Sequence, residues 1–551
     1  MPKFFRYGTV AIGIAVILII GISFLSQKEP EFRMRGFPAN LSDKVTAVVE
    51  GYERKEIEGD VVKFYIKADK ATTFDDQHQE FENIFLQVFA PDGTFDSITA
   101  QKSVYVPHES KDFTVYFAGN VEMTSRDGLK ANTEQFTYKR GIDTAEAEEK
   151  IRFNRGNIEG SAASAIVKLS ERKIDLLGDV ALSMVDQSPN GKITISKVTS
   201  EAGGYDQANE VIKLNGSVAG SFINRNGSEL ETSTIKAGLV NIQLTPLENS
   251  KRDVRMIELF QNVSIDLVRN GKPEANVRAE YAKHDVVHDG FYLRTSALVE
   301  RFSTDAKTQI AGDRVDYLRT AGKAISEGNA SVKNGVSSVR GNTLTAEFFP
   351  DRKLRNAKAV GSAELTDVSD ERTATVRGAE LTADFGRTGA ISTAKASGSP
   401  VAVLVPTAST SYSKATISAL RAISLTMKAS GGIEGANTDG RTTLRLDVPN
   451  SSPSASAKTV AADSVKTIFH PDGKFIARAE AVGNAELLVE PLNAARENYK
   501  SITYAPRFDC EFFQTGNNVK VCDAFTKTRT IRTPTIAVER HSQPETRLLE
   551  P

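Results

Sequence analysis

The sequence predicts an all-β protein of repeated hairpins behind a single N-terminal transmembrane helix, and three observations carry that reading. Apolar and polar residues alternate along much of the chain. In VKFYIKA (62–68), Val62, Phe64, Ile66 and Ala68 share one face, while Lys63, Tyr65 and Lys67 share the other. A period of two marks a strand with one buried face. Turn dipeptides punctuate these stretches, among them Asp92-Gly93, Asn226-Gly227, Asn270-Gly271, Asp289-Gly290 and Asn334-Gly335. Such pairs supply the positive φ angles of tight hairpin turns. Finally, one phrase keeps returning: FAGNVEMT (117–124), LLGDVALSM (176–184), LNGSVAGSF (214–222).

The chain opens differently. Gly8 to Leu25 is an uncharged run of 18 residues, near the lower limit for a membrane-spanning helix. Lys3 and Arg6 precede it, which keeps residues 1–7 in the cytoplasm and sends the rest across the inner membrane. A cleaved signal peptide would have a shorter apolar core and a small-x-small site after it. The segment that follows, SQKEP, lacks that site, so 8–25 is read as an uncleaved anchor and 26–44 as a linker.

Aligning the chain on the glycine of the recurring phrase defines the repeat. Offsets −4, −2, +2 and +4 hold Val115, Phe117, Val121 and Met123 around Gly119, and Ile174, Leu176, Val180 and Leu182 around Gly178. Ile212, Leu214 and Val218 surround Gly216; Ile257, Leu259 and Val263 surround Gln261, which replaces the glycine. Later copies centre on Gly328, Gly361 (with Ala357 and Ala359), Gly398 and Gly483 (with Ala479 and Ala481), and a weaker one on Gly431. Even offsets share one face, so each copy is a strand with an apolar face and a mid-strand glycine, the mark of a bend or bulge. A partner strand ending in an aromatic precedes many copies, as in LTAEFFPDRK (344–353). The unit is therefore strand, polar turn, bent strand. Such units stack because each buries its apolar face only beside its neighbours. The product is an elongated pair of sheets with an apolar strip between them. Early centres are flanked by large aliphatics and later ones by alanine, which leaves open a wider strip, a tighter closure, or drift in packing.

Charge is balanced, with 69 basic and 70 acidic residues, and this argues against a nucleic-acid partner. No GxSxG phrase, phosphate loop or convergent acid pair is visible, so no enzyme, cofactor or metal is expected. His284 and His288 (HDVVH) would share a side only on a helix, and this segment reads as strand and turn. Cys510 and Cys522 flank FFQTGNNVKV, a hairpin centred on Gly516. An odd loop sets them opposite each other and an even one shifts them out of register. A disulfide there would be structural.

The stretches VEGYERKEIEGDVVKFYIKADKATTF (49–74), FENIFLQVF (81–89), SITAQKSVY (97–105), FAGNVEMTSRDGLKANTEQFTYKRG (117–141) and NIEGSAASAIVKLSERKIDLLGDVALSM (157–184) together resemble LptC, the bitopic inner-membrane component of lipopolysaccharide transport. The resemblance covers residues 45–186 and the anchor; 187–535 resembles the related LptA/OstA repeats, and 536–551 is a polar tail. It implies an elongated, twisted, V-shaped β-jellyroll whose members join by edge-strand pairing. It implies lipopolysaccharide in the groove, other β-jellyroll Lpt proteins and an inner-membrane ATP-driven Lpt transporter as partners, and a periplasmic body. The groove candidates are the flanking residues named above. Two other readings stay open: a bridge for phospholipid or another glycolipid, and a structural scaffold.

Overall fold

The structure, a computed structural model, describes residues 41–534 except 59–60, 91, 110–111, 127, 188–192, 246–252, 303–306, 352, 369–371, 389, 408–412, 429–432, 450–455, 474, 493–498, 515–518 and 526–527. The expected anchor at 8–25, the tail at 536–551, the copy at Gly431 and the loop around Gly516 lie outside the described residues. Among the described residues no helix is long and apolar enough to cross a membrane. What is described is all-β: thirty-four strands and one 3-10 turn, Arg140–Ile142. The chain divides into two units. One runs to Ala181 and includes Gly204–Ala208; the other holds Leu182–Gly203 and everything from Asn209.

The first unit is an antiparallel meander. Val45–Glu58, Val61–Phe74, Gln79–Phe89, Phe95–Pro107, Phe113–Thr124 and Lys130–Lys139 each pair with the next. The alternation of 62–68 appears as expected in its charges, with Lys63 and Lys67 exposed and Ala68 buried. Lys130–Lys139 then shows how the layers arise. One end pairs with Thr144–Ala147 and the other with Ile151–Arg155. The first ladder continues to Ser164–Lys168, the second to Ile158–Ala162. One long strand thus belongs to two ladders.

The second unit repeats this plan. An unbroken meander runs from Val211–Asn226 to Arg372–Phe385. Arg372–Phe385 pairs through 380–385 with Ile391–Ser397 and through 372–377 with Val401–Pro406. One ladder proceeds through Ala422–Met427, Ile433–Asp439 and Ser464–Phe469, the other through Lys414–Ala419, Thr442–Asp447 and Ser456–Ala462. Both rejoin on Ile476–Pro491.

Between the ladders lies a corner, and the recurring glycine makes it. Ala118 pairs with Gln135 and Val121 with Thr133, so Gly119 and Asn120 together face Glu134 alone. That is a β-bulge, which bends the strand and sharpens its twist. Gly119 has φ +79° and Asn120 +48°, left-handed values that glycine and asparagine tolerate best. A Cβ on Gly119 would also stand 2.6 Å from Gln101 Oε1 on the preceding strand. The same two-against-one count recurs at 216–217, 261–262, 328–329, 361–362 and 483–484.

Three details differ from the sequence reading. Both strands of each hairpin cross the corner, not the glycine strand alone; the glycine strand only carries the extra residue. A further corner falls at Thr295-Ser296, with φ of 62° and 53° and a register shift between Arg294 and Ala297. It has no glycine, so pattern matching passes over it. Another positive-φ glycine, Gly440, stands between Ile433–Asp439 and Thr442–Asp447.

Candidate functional site

Distance from the corner sets depth. Offsets −2 and +2 are sealed: Phe117, Val121, Leu176, Val180, Leu214, Val218, Leu259, Val263, Ala359 and Ala481 are all buried, Phe117 to 1% exposure. Offsets −4 and +4 are mostly half-buried: Met123, Ile174, Leu182, Ile212, Ile257, Ala357 and Ala479 keep part of their surface open, while Val115 and Ala402 are buried. Where two half-sheets meet at a shared bend, residues beside the bend touch both sides, and those farther out touch one. The result in each unit is a trough: ±2 residues form the floor and ±4 residues form two walls.

The walls of the second unit are different from one another. On the +4 side an aliphatic row runs in register from Ile265 through Val277, Val299, Ile310, Val332 and Val339. It continues through Leu365, Val376, Ala402, Ile417, Leu444 and Val460 to Leu487. On the −4 side the row changes character. It starts with Ile212, Ile242 and Ile257, passes to His284, Phe291 and Tyr317, and then becomes Ala324, Ala346, Ala357, Ala383 and Ala394. The run of alanines therefore lies on the −4 wall, while the +4 row keeps larger aliphatics except at Ala402. Neither row contains an acidic residue, lysine or arginine.

The aromatic stretch is stacked from His284 to Tyr317 and meets Phe348 edge-on. His284 and Phe291 lie 4.1 Å apart and near parallel, Phe291 and Tyr317 6.5 Å, Tyr317 and Phe348 6.3 Å. The Arg319 guanidinium sits 5.7 Å from the Phe291 ring, within cation–π range. Burial lowers the pKa of His284 and so favours its neutral form. Its sequence companion His288 accepts a separate role, pairing with Asp285 at 3.0 Å in an exposed turn. The two histidines thus have different partners. Among the described residues no group of three His, Cys, Asp or Glu side chains is placed to hold a metal ion. In the first unit the −4 wall is also ring-rich: Tyr105, Phe113 and Tyr138 are linked at 5.2 and 6.0 Å, with Arg140 over Phe113.

Charge is carried by the opposite face. Glu364 lies between Arg340 and Arg377, and hydrogen bonding to Arg377 leads in holding its carboxyl below the usual range. Asp509, itself buried, accepts from Arg478 Nε at 2.7 Å and from Arg507 Nη2 at 3.0 Å. The Arg478 hydrogen bond is the main cause of its lowered pKa. At the end of the second unit, Cys510 and Cys522 stand in direct register and are joined as a disulfide. Cys510 also closes the −4 row, paired with Ala479.

Residues 13–186 match the family model described as "Lipopolysaccharide-assembly, LptC-related". No curated protein matches the chain. Among solved structures, TcdB2-TccC3 without its hypervariable C-terminal region is 7% identical over 84% of this chain, with a TM-score of 0.09, a likeness that carries no argument. The chain spans about a third of that structure's length, 35%. Over residues 13–186 the chain is thus similar to the LptC-related family of lipopolysaccharide assembly, and the described part of that stretch is all-β.

Proposed function

We propose that the chain binds lipopolysaccharide and relays it away from the inner membrane without catalysing a reaction. In this reading residues 8–25 anchor the chain, 45–186 form the LptC-like jellyroll, and 187–535 form an LptA/OstA-like extension in the periplasm. An inner-membrane ATP-driven Lpt transporter loads the cargo, and other jellyroll proteins join by edge-strand pairing. The observation that carries the reading is the trough with a sealed floor and half-open apolar walls on an LptC-related chain. A multi-acyl glycolipid cannot cross water cheaply, since each exposed methylene costs about 0.8 kcal/mol. Half-open apolar walls offer shelter without an enclosed, tight site, which suits cargo that must move on.

Burial decides which residues touch cargo. Phe117, Leu176, Leu214, Ala359 and Ala481 are floor and hold the corner together; Met123, Ile174 and Ile212 are wall and meet the acyl chains. The test is photocrosslinking in cells with p-benzoylphenylalanine at Met123, Ile174 and the outer-face Glu122, followed by immunoblotting for lipopolysaccharide. Adducts at 123 and 174 but not at 122 are expected. A folded, membrane-bound protein with no adduct at either wall position would remove lipopolysaccharide as cargo, and co-purified lipids would then identify the true one.

A further inference from the structure

We propose that Arg155 and Tyr205 form a bar across the mouth of the trough in the first unit, a gate that parts when a headgroup passes. The gate presupposes the lipid-relay reading and adds to it a checkpoint built from two side chains.

The two residues come from opposite walls. Met123, on the +4 wall, pairs with Ala131, and Ala131 pairs with Phe153. Arg155 lies two residues beyond Phe153 on the same strand, so it shares that inner face and stands nearer the rim. It pairs with Ile158 beside the hairpin turn. Tyr205 belongs to the −4 side. The Gln207 amide donates to the Arg172 carbonyl. A Cβ on Gly204 would stand 3.2 Å from the Ile174 carbonyl oxygen and 3.5 Å from Asp175 Oδ1. Asp175 alternates with the inward Ile174 and Leu176, so the Gly204 side faces out and Tyr205 faces in.

Across the mouth, Arg155 Nη1 donates to the Tyr205 hydroxyl at 2.8 Å. The guanidinium carbon also lies 5.4 Å from the centre of the Tyr205 ring, within cation–π range. One pair thus ties wall to wall. Arg155 is 8% exposed, and among the described residues no other arginine or lysine is buried.

A buried cation is a costly way to join two walls, and an apolar pair of similar size would hold them as well or better. What the polar pair adds is a second stable state. Once parted, guanidinium and phenol can bond to water, to a sugar hydroxyl or to a phosphate, whereas parted apolar groups only lose contact. Acyl chains can lie on the sealed floor beneath the bar. The glycan and phosphates of the same molecule find few polar partners between the walls and must project through the mouth. Such a molecule passes the bar only if Arg155 and Tyr205 separate.

The experiment uses the full-length chain in cells, with p-benzoylphenylalanine at Met123 or at the later wall position Ile212 and immunoblotting for lipopolysaccharide. Tyr205→Phe keeps the ring and deletes the hydroxyl. The rate of adduct formation at 212, relative to that at 123, should rise about threefold or more. In a second variant, Arg155→Cys with Tyr205→Cys, a bismaleimide bridges the two walls. The native cysteines are joined as a disulfide and offer no free thiol. The bridged protein should keep its adduct at 123 and lose that at 212, while the same variant capped with N-ethylmaleimide should retain both. An unchanged or lower relative rate in Tyr205→Phe makes the pair a static tie and overturns the gate. Cargo that reaches 212 past the bridged pair also overturns it, and either result leaves the relay reading standing. No adduct at 123 in the otherwise unaltered chain overturns the relay reading and the gate with it.

Discussion

Gln261 and Gly238 hold each other's places. At Gly119, Gly216, Gly328, Gly361 and Gly483 the corner glycine makes room for a polar side chain from earlier in the chain: Gln101, Glu201, Asp313, Asn342 and Asp463 in turn. At the fourth corner the side chain is Gln261 itself, with φ +67°, and the missing Cβ belongs to Gly238 on the preceding strand. A Cβ on Gly238 would stand 2.4 Å from Gln261 Oε1. At this crossing the glycine stands on the other strand.

This makes a coupled prediction. Gly238→Gln should destabilise the protein by about 2 kcal/mol through overpacking. Adding Gln261→Gly should recover most of that loss, giving a coupling energy above about 1 kcal/mol. Urea midpoints of the two single variants and the double variant measure it. Simple additivity would mean the two residues do not share one space.

Gly119→Ala meets both obstacles at once, a φ of +79° and the Gln101 side chain. A loss of about 1–2 kcal/mol is expected. Asn120→Gly next door, at φ +48°, should change stability by no more than a few tenths. Equal losses at both positions would show that backbone conformation does not govern the corner.

Floor and wall should separate in a stability–function plane. Phe117→Ala removes a sealed ring and should cost about 3–5 kcal/mol. Met123→Ala, half-exposed on the wall, should cost under about 1 kcal/mol yet reduce lipopolysaccharide crosslinking at Ile174. Denaturant unfolding and immunoblotting read the two axes.

The terminal hairpin depends on its staple. The disulfide joins residues 12 apart, and removing it with Cys510→Ser and Cys522→Ser should weaken this end by about 2–3 kcal/mol. Hydrogen exchange should speed up across Val519–Phe525 and leave Phe113–Thr124 unchanged.

Asp509 contributes an acid limb. Arg478 first, then Arg507, lower its folded-state pKa below the ordinary value. A carboxyl with a depressed folded pKa stabilises the fold above its unfolded pKa, near 3.9, and loses that contribution as pH falls through the folded value. Asp509→Asn should therefore flatten the fall in stability below about pH 4. Thermal unfolding from pH 6 to pH 3 compares the two proteins, and parallel curves would deny Asp509 the role.

Period-two patterning settles which residues face inward, because a strand allows only two faces, and the recurring mid-strand glycine marks where the strand must bend. So the all-β fold, the apolar face and most corners are legible in the residues alone. The corner at Thr295-Ser296 is not, since two ordinary residues can adopt left-handed φ there and leave no signature. Nor does the pattern say that Phe117 is sealed while Met123 is half-open, for both occupy the same face at even offsets. The tertiary structure decides that, because depth depends on distance from the bend where two ladders meet. It also gathers Ala324, Ala346, Ala357, Ala383 and Ala394 into one row. Which residues of distant strands stand side by side is a matter of register, and register exists only once neighbouring strands have paired.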